Sequence, residues 1–457
     1  MPFSRGECTS VSERALDRFI AETEAAELTL ASHGGTRKES GSFYTPADVA
    51  SHFWDLFLRH HRVDNAASLR ALIAKLDFVE PSAGSGIFVF SLIRKALALG
   101  LSAGEVAAIR FHVIDINLAA LSFFKSKLRD LEEELGVCFD GIGCDQIDFL
   151  DWTADAKLDE VAFVGNPPFV SNVRGSKWRN LFADFLDAML RFSSKSKAIS
   201  LILPVSICFS RDYAELRRII DASDLGVSAS SYDNIPDCLF KSGKPESTNT
   251  NRANSQRCTI LNLGGPDPAR RESAQMQRWA AKDRQRVLGT IPTFHNYLNG
   301  SYLSQIPRPE SSRIMSYLVE ASGAKPLGLM LSKYGRSTFS IGGVARNFIG
   351  VRESNQDISG VLPIRPATEE DSIILLQILS SGIFLDYWRT LGDGFHVTNE
   401  VIESFPISAD LRRTCERNRS NARRVWEGRQ IFAKEKLNSG KIVRSYDFRG
   451  AFGHALG

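Results

Sequence analysis

Four short runs in this chain, LDFVEP, RFHVID, DEVAFVGNPP and AISLILPVSICF, are apolar on both parities and rich in Val, Ile and Phe. A strand with one wet face alternates apolar and polar residues, so a run without alternation must be covered on both sides, as in the parallel sheet of an α/β domain. Between these runs, GIFVFSLIRKALALG and KWRNLFADFLDAMLRF repeat apolar residues at i, i+3, i+4 and i+7, the spacing of a helix with one buried face. From Phe43 to about Gly265 the alternation predicts a doubly wound α/β domain, with helices on both faces of the sheet.

At 457 residues, 43% of them hydrophobic, the chain can build two or three cores. Residues 1–40 carry one helical stretch and the turn-rich ASHGGTRKESGS, which predicts an N-terminal helical arm. Residues 41–265 form the α/β domain. Residues 266–290 run from Pro/Gly to densely charged, and read as a linker with a surface helix. Residues 291–410, punctuated by Gly, Ser and Pro, mix strand and helix signals and read as a second, mixed α+β domain. Residues 411–457 read as a basic tail. From 409 to 457 there are 12 Lys and Arg against 5 Asp and Glu, whereas the whole chain is only +3, so the rest carries −4. Basic residues at helical spacing in this tail suit either a solvated helix face or nonspecific phosphate binding.

The N-terminus lacks the apolar core of a secretory signal, and no stretch approaches the roughly 18 to 20 apolar residues of a membrane span. Seven cysteines without a C-x-x-C pair and eight histidines without ligand spacing predict reduced thiols, no metal and a soluble cytoplasmic protein without a membrane partner.

Three motifs carry chemistry. EPSAGSG, Glu80 to Gly86, follows the strand LDFV and precedes a helix. Such a turn lets backbone approach a ligand closely and points N–H groups at it. With G-S-G in place of G-x-G-x-x-G, and with an acidic residue ahead of it, the loop suits an ammonium group and a nucleoside rather than a pyrophosphate. A tight turn with no ligand is the plain alternative. Asp115 ends the next strand, 29 residues after Gly86, where a carboxylate can accept hydrogen bonds from a ribose diol. The usual separation is ~20 residues, and the extra length, LSAGEVAAIR, has Ser102 and Glu105 at capping-box spacing, which predicts a short additional helix. The third motif is NPPF, Asn166 to Phe169, after the strand VAFVG. Pro167 and Pro168 hold the backbone extended, so Asn166 cannot relax into a helix. The Asn166 side-chain oxygen and the Pro167 carbonyl can then converge on one amino group, with Phe169 as a flat face for stacking on a base.

In this order, and preceded by FYTP (Phe43 to Pro46), the motifs EPSAGSG, VIDIN, IDFLDW and NPPF resemble those of adenine-N6 DNA methyltransferases of restriction–modification systems. The resemblance covers about residues 41 to 265, and the C-terminal domain only loosely. It implies a Rossmann-like S-adenosylmethionine-dependent methyltransferase domain followed by a DNA target-recognition domain. It also implies cofactor contacts from Tyr44, Thr45 and Pro46, from Glu80, Ser82, Gly84 and Gly86 around the methionine end, from Asp115 and Ile116 at the ribose and adenine, and from Asp148 and Phe149 flanking the adenine. By sequence alone, Thr45-Pro46-Ala47-Asp48 is equally a helix start with Thr45 as N-cap. Phe240 matches a second aromatic that would hold the target base together with Phe169; a core position is its other reading. The chain departs from the commoner family spelling at Phe169, Asp115 and Asn117, yet Phe still stacks and Asp still binds a diol.

The implied reaction is methyl transfer from S-adenosyl-L-methionine to the exocyclic amine of an adenine flipped out of double-stranded DNA, with a cognate restriction endonuclease or other defence-system subunits as partners. The segment from Ser332 to Gly350, with Lys333, Tyr334, Arg336 and Arg346 among glycines, suits phosphate and groove contacts or a solvated loop. LGDGFHVTNEVIESFPIS, Leu391 to Ser408, loosely resembles a segment of recognition domains. An N-P-P-aromatic turn also serves methylation of RNA bases or of protein glutamine, which would need neither the basic tail nor FYTP. A nuclease fused ahead of the domain is disfavoured by the roughly 40 residues before FYTP and by the lack of P-D followed by E-x-K. A catalytically idle DNA-binding module is disfavoured by the intact Asn166 and Gly84-Ser85-Gly86.

Overall fold

The computed structural model describes residues 16–25, 45–171, 177–234, 236–240, 256–297, 305–345, 347–354, 360–438 and 441–456. Tyr44 and Arg346 lie outside the described residues. The chain divides into two compact units, Met1–Asn296 and Tyr297–Gly457.

The four apolar runs become β1 (Asp77–Glu80), β2 (Arg110–Asp115), β4 (Glu160–Gly165) and β5 (Ser196–Pro204). Between β2 and β4 in the chain comes β3 (Ile142–Gln146), an edge strand that is mostly solvent-facing and so has no apolar pattern to read. With β6 (Gly226–Tyr232), β7 (Cys258–Gly264), β8 (Arg271–Ala274) and β9 (Phe294–Asn296), they form one sheet in the order β3-β2-β1-β4-β5-β7-β6-β8-β9. The first five in that order are parallel, and β7 runs antiparallel to both β5 and β6.

Helices α1 (Ala47–His60), α2 (Ala66–Lys75), α3 (Ile87–Ala98), α4 (Ala103–Ala107), α5 (Leu118–Leu135), α6 (Phe149–Asp155), α7 (Leu181–Arg191) and α8 (Ala214–Ala222) alternate with the strands. The capping box of Ser102 and Glu105 opens α4 as the spacing predicts. One sheet face is closed by aromatics: Phe78 stacks on Phe111 at 5.3 Å, and Trp54 packs edge-on to Phe78 while its Nε1 donates to the Phe88 carbonyl at 2.9 Å. Phe149, Phe163 and Phe185 pack together as a second aromatic cluster between β4, α6 and α7. The N-terminal helical residues 16–25 lie on α3 and α5 through Asp17–Arg94 (2.6 Å) and Glu22–Lys127 (2.7 Å), with Leu16 and Phe19 buried.

Two boundaries differ from expectation. Residues 266–290 are not a linker: β8 is buried along its whole length, and α9 (Arg284–Leu288) buries Arg284 and Leu288. The charges that suggest a linker are spent inside the unit, Glu272 on Arg59 (2.6 and 3.1 Å) and Arg284 on Asp48 (2.6 and 3.0 Å). Nor are residues 411–457 a tail. The second unit has an antiparallel sheet of β10 (Phe339–Gly342), β11 (Val351–Glu353), β12 (Val361–Ile364), β13 (Ala433–Asn438) and β14 (Lys441–Tyr446), ordered β12-β10-β11-β14-β13. Its core includes Tyr446, Phe448 and Phe452 as well as Trp388 and Phe405. Much of the basic charge is paired locally, Arg429 with Glu353, Arg444 with Glu435 and Arg449 with Asp447. In the Ser332–Gly350 segment, β10 is buried, whereas Lys333, Tyr334 and Arg336 are exposed.

Two histidines of α1 are buried neutral against the antiparallel hairpin. His60 Nε2 donates to the Gly264 carbonyl at 3.0 Å, and its Nδ1 accepts from Ser228 Oγ at 2.9 Å. His52 accepts from the Tyr232 hydroxyl at 2.6 Å, which in turn accepts from Ser230 at 2.9 Å. Burial pushes His52 down to about 4 and His60 down to about 3, from 6.5. Below pH 6.5 the unfolded chain takes up protons that the fold refuses, so stability falls with pH between 6.5 and 4. We expect a loss of ~2 kcal/mol per histidine between pH 7.5 and pH 5. Urea unfolding at the two pH values measures it, His60→Gln should remove the contribution of His60 alone, and equal stability at both would contradict this reading.

Candidate active site

Parallel pairing of β1 with β4 sets Asp77 beside Val161 and Val79 beside Phe163, so both strands end at the same level. In the order β2-β1-β4 the chain leaves β1 to one side and returns to the other, which opens a crevice beyond the strand ends. The EPSAGSG loop and the NPPF turn meet there. Ser82 Oγ donates to the Asn166 carbonyl at 3.1 Å. Gly165, at φ 139°, lies beside Glu80, in a backbone conformation that favours glycine.

The loop is anchored to the end of β2: the Ala83 N–H donates to the Ile114 carbonyl at 3.0 Å and the Gly84 N–H to Asp115 Oδ2 at 2.8 Å. Gly84 and Gly86 are left-handed, at φ 55° and 82°. At Gly86 there is a second reason for glycine, because an added Cβ would fall 2.2 Å from the Phe124 ring of α5. Glu80 is 1% exposed at the base of the loop.

Asp115 also accepts from the Asn117 N–H at 2.8 Å. Its carboxylate therefore spends at least two of its about four acceptor sites on shaping the loop. Burial raises its pKa, opposed by the backbone hydrogen bonds from Asn117, Gly84 and Ile116. Beyond it, Ile116 is 72% exposed, and Ile147 at the neighbouring end of β3 is 37% exposed. The β2–β3 register, Asp115 beside Gln146, brings the two isoleucines to adjacent strand ends. The sequence reading missed Ile147, for which a lone apolar residue after a polar strand is the available signal. Asp148 is exposed and caps α6 through Oδ1, 2.8 Å from the Leu150 N–H. Phe149 departs from expectation: its ring is 1% exposed, packed on Phe185 at 4.9 Å, and belongs to the core. Only its backbone, in the first turn of α6, lies near the strand ends.

Asn166 is held at its side chain as well, with Nδ2 donating to Thr45 Oγ1 at 3.2 Å. The alternative role for Thr45, as N-cap of α1, is not observed. Pro46 occupies that position in extended geometry, its carbonyl accepting from Val49 and Ala50, and the Thr45 hydroxyl reaches across to β4 instead. Pro167 is buried, and Pro168 and Phe169 are half-buried. The Phe169 ring meets Phe240 edge-on at 6.1 Å and Phe182 at 6.2 Å. Phe240 is 3% exposed, a core ring packed beside the NPPF turn.

A buried carboxylate below a glycine turn, a strand-end carboxylate and an exposed apolar pair suit a nucleoside with a cationic end. The first unit is a doubly wound α/β sheet, parallel from β3 to β5 and continued by the antiparallel β7. No protein-family model matches the chain, and no curated protein matches it by sequence. Among solved structures, the chain is similar to the Type IIL restriction-modification enzyme MmeI in complex with DNA, at 13% identity and a TM-score of 0.47, over 87% of this chain and 72% of that one. It is also similar to DrdV in a DNA complex (14%, 0.45, over 67% of this chain and 35% of that one) and to the M protein of the Type I restriction enzyme EcoKI (12%, 0.33, 53% and 50%). The chain thus spans about a third of the DrdV chain. These likenesses concern the fold. No described helix is long and apolar enough to cross a membrane, and no described group of three His, Cys, Asp or Glu could hold a metal.

Gly86→Ala should cost at least ~2 kcal/mol through combined left-handed strain and overpacking on Phe124. Adding Phe124→Leu should recover part of that loss in urea unfolding, whereas a neutral Gly86→Ala would remove the packing argument.

Proposed function

We propose that this chain is a site-specific DNA methyltransferase that moves a methyl group from S-adenosyl-L-methionine to the N6 amine of an adenine flipped out of duplex DNA, within a restriction–modification or phage-defence system. The observation that carries this reading is the double tether of Asn166, by Ser82 at its carbonyl and Thr45 at its side chain, directly beside the glycine loop.

Glu80 and the Gly84-Ser85-Gly86 turn would hold the amino-acid end of the cofactor, Asp115 its ribose, and Ile116, Ile147 and Asp148 its adenine. The bound cofactor supplies a methyl group on a sulfonium, which needs no metal or redox partner. An adenine amine is a weak nucleophile because its lone pair is delocalised into the ring. Asn166, fixed through Nδ2 on Thr45, presents its Oδ1 as an acceptor, and the Pro167 carbonyl supplies the other. Accepting both N–H bonds localises the lone pair and offsets the positive charge that develops. The double proline keeps these acceptors in place before the base arrives. Stacking on Phe169 offsets part of the few kcal/mol that unpairing the base costs.

A flipped base requires a grip on the duplex, and we assign that to the second unit. There β14 meets β11 only at Tyr446 and Val351, so the β13–β14 hairpin continues past the sheet as a two-stranded ribbon. Lys434 and Lys436 alternate onto one exposed face of it, while Glu435 and Arg444 neutralise each other on the opposite face at 2.6 Å. The major groove admits a two-stranded ribbon.

Unmethylated genomic DNA incubated with labelled cofactor and digested to nucleosides should carry the label in N6-methyladenine; label in cytosine, only in RNA, or nowhere would overturn the proposal. Asn166→Ala should lower kcat by at least ~10²-fold while cofactor affinity stays within about threefold. Lys434→Ala with Lys436→Ala should weaken duplex binding and reduce the slope of log K against log salt by about 2, measured by fluorescence anisotropy; an unchanged slope would move the grip elsewhere.

A further inference from the structure

Arg284 is a buried charge with several partners in the first unit. Its side chain is 10% exposed. Nε and Nη2 form a bidentate pair with Asp48, at 2.6 and 3.0 Å, in the first turn of α1. Nη1 and Nη2 donate to the carbonyls of Cys238 and Leu239, both at 2.8 Å, on the segment that ends at Phe240. The same segment is held from its other end by Asp237, which accepts from Trp279 Nε1 at 3.1 Å and donates its N–H to the Trp279 carbonyl at 3.2 Å.

These bonds complete a closed circuit. Asn166 is bonded to Thr45, which leads into α1 and Asp48; Asp48 is paired with Arg284; Arg284 carries Leu239 and so Phe240; and Phe240 packs against Phe169, three residues from Asn166. A guanidinium serves this purpose where an ammonium would not, because its planar fork satisfies a carboxylate bidentately and still has donors for two carbonyls.

We infer that Arg284 is a positioning residue that couples occupancy of the cofactor side of the site to the seating of Phe240 against the Phe169 face. Steadying α1 and Thr45 around a cofactor steadies Asp48, and through the shared cation it steadies residues 237–240, so that cofactor binding further orders the Phe240–Phe169 contact. Coupling of this kind is a free energy between two sites and works in both directions. The inference rests on the methyltransferase reading of the site.

The test uses the full chain with S-adenosylhomocysteine, which cannot transfer a methyl group. Hydrogen exchange followed by mass spectrometry should slow at Asp237 to Phe240 by about tenfold or more on binding. Arg284→Met should lose that ligand-dependent protection while affinity for S-adenosylhomocysteine without DNA stays within about threefold. Arg284→Lys, which keeps the charge on Asp48 but not the carbonyl bonds, should behave as Arg284→Met does. In methylation of genomic DNA, Phe240→Ala and Arg284→Met should each lower kcat by about tenfold or more, and the double variant no further than either. Additive losses, or an Arg284→Met variant that raises exchange equally with and without ligand, would make Arg284 a purely structural residue. Wild-type chain that binds S-adenosylhomocysteine without protection at 237–240 overturns the coupling alone. Wild-type chain that binds none overturns the methyltransferase reading and the coupling with it.

Discussion

The parallel pairing of β1 with β4 is the constraint on which the site depends. Because their ends are level, the loop after one and the turn after the other can share hydrogen bonds, and Ser82 reaches the Asn166 carbonyl. A parallel pair has no hairpin to join it, so this juxtaposition requires a crossover, here through β2, β3 and their helices. The aromatic layer of Trp54, Phe78, Phe111 and Phe124 supplies that packing, and Gly86 is the point where the loop must yield to it. Removing one methyl-sized space there disturbs the glycine loop and the core together.

A few charges in this chain serve internal assembly. Arg59 in the last turn of α1 pairs bidentately with Glu272, and Asp48 in its first turn pairs bidentately with Arg284, each partner far away in sequence. The same economy operates in the second unit, where Arg429 and Tyr446 converge on Glu353 and hold its carboxyl below the ordinary range. Bidentate and shared geometry distinguishes these pairs from the exposed ones, such as Lys195 with Asp159, which contribute little.

The elements legible in the sequence are those whose signal is local. β1, β2, β4 and β5 announce themselves because both faces are covered, and α4 because Ser102 and Glu105 close a capping box within three residues. β3 was not legible, since an edge strand such as IGCDQ carries no apolar pattern; nor was β8, whose RESA is buried only because Glu272 finds Arg59. The apparent tail is the same case: Tyr446, Phe448 and Phe452 are too widely spaced among basic residues to suggest a core, and they become one by folding against β11 and its neighbours.

At the site, the residue types and their order along the chain were set by sequence: a carboxylate ahead of a glycine turn, an aspartate at the next strand end, and an asparagine locked by two prolines. These follow from backbone chemistry at single positions, which needs no partner. The tertiary structure alone decided that Thr45 tethers Asn166 rather than capping its helix, that the Phe149 ring is core, that Ile147 stands beside Ile116, and that Arg284 joins α1 to Phe240. Each of those is a contact between residues at least 30 positions apart or a choice between local and distant partners, and hydrogen-bond and burial energies settle such choices only once the chain has closed on itself.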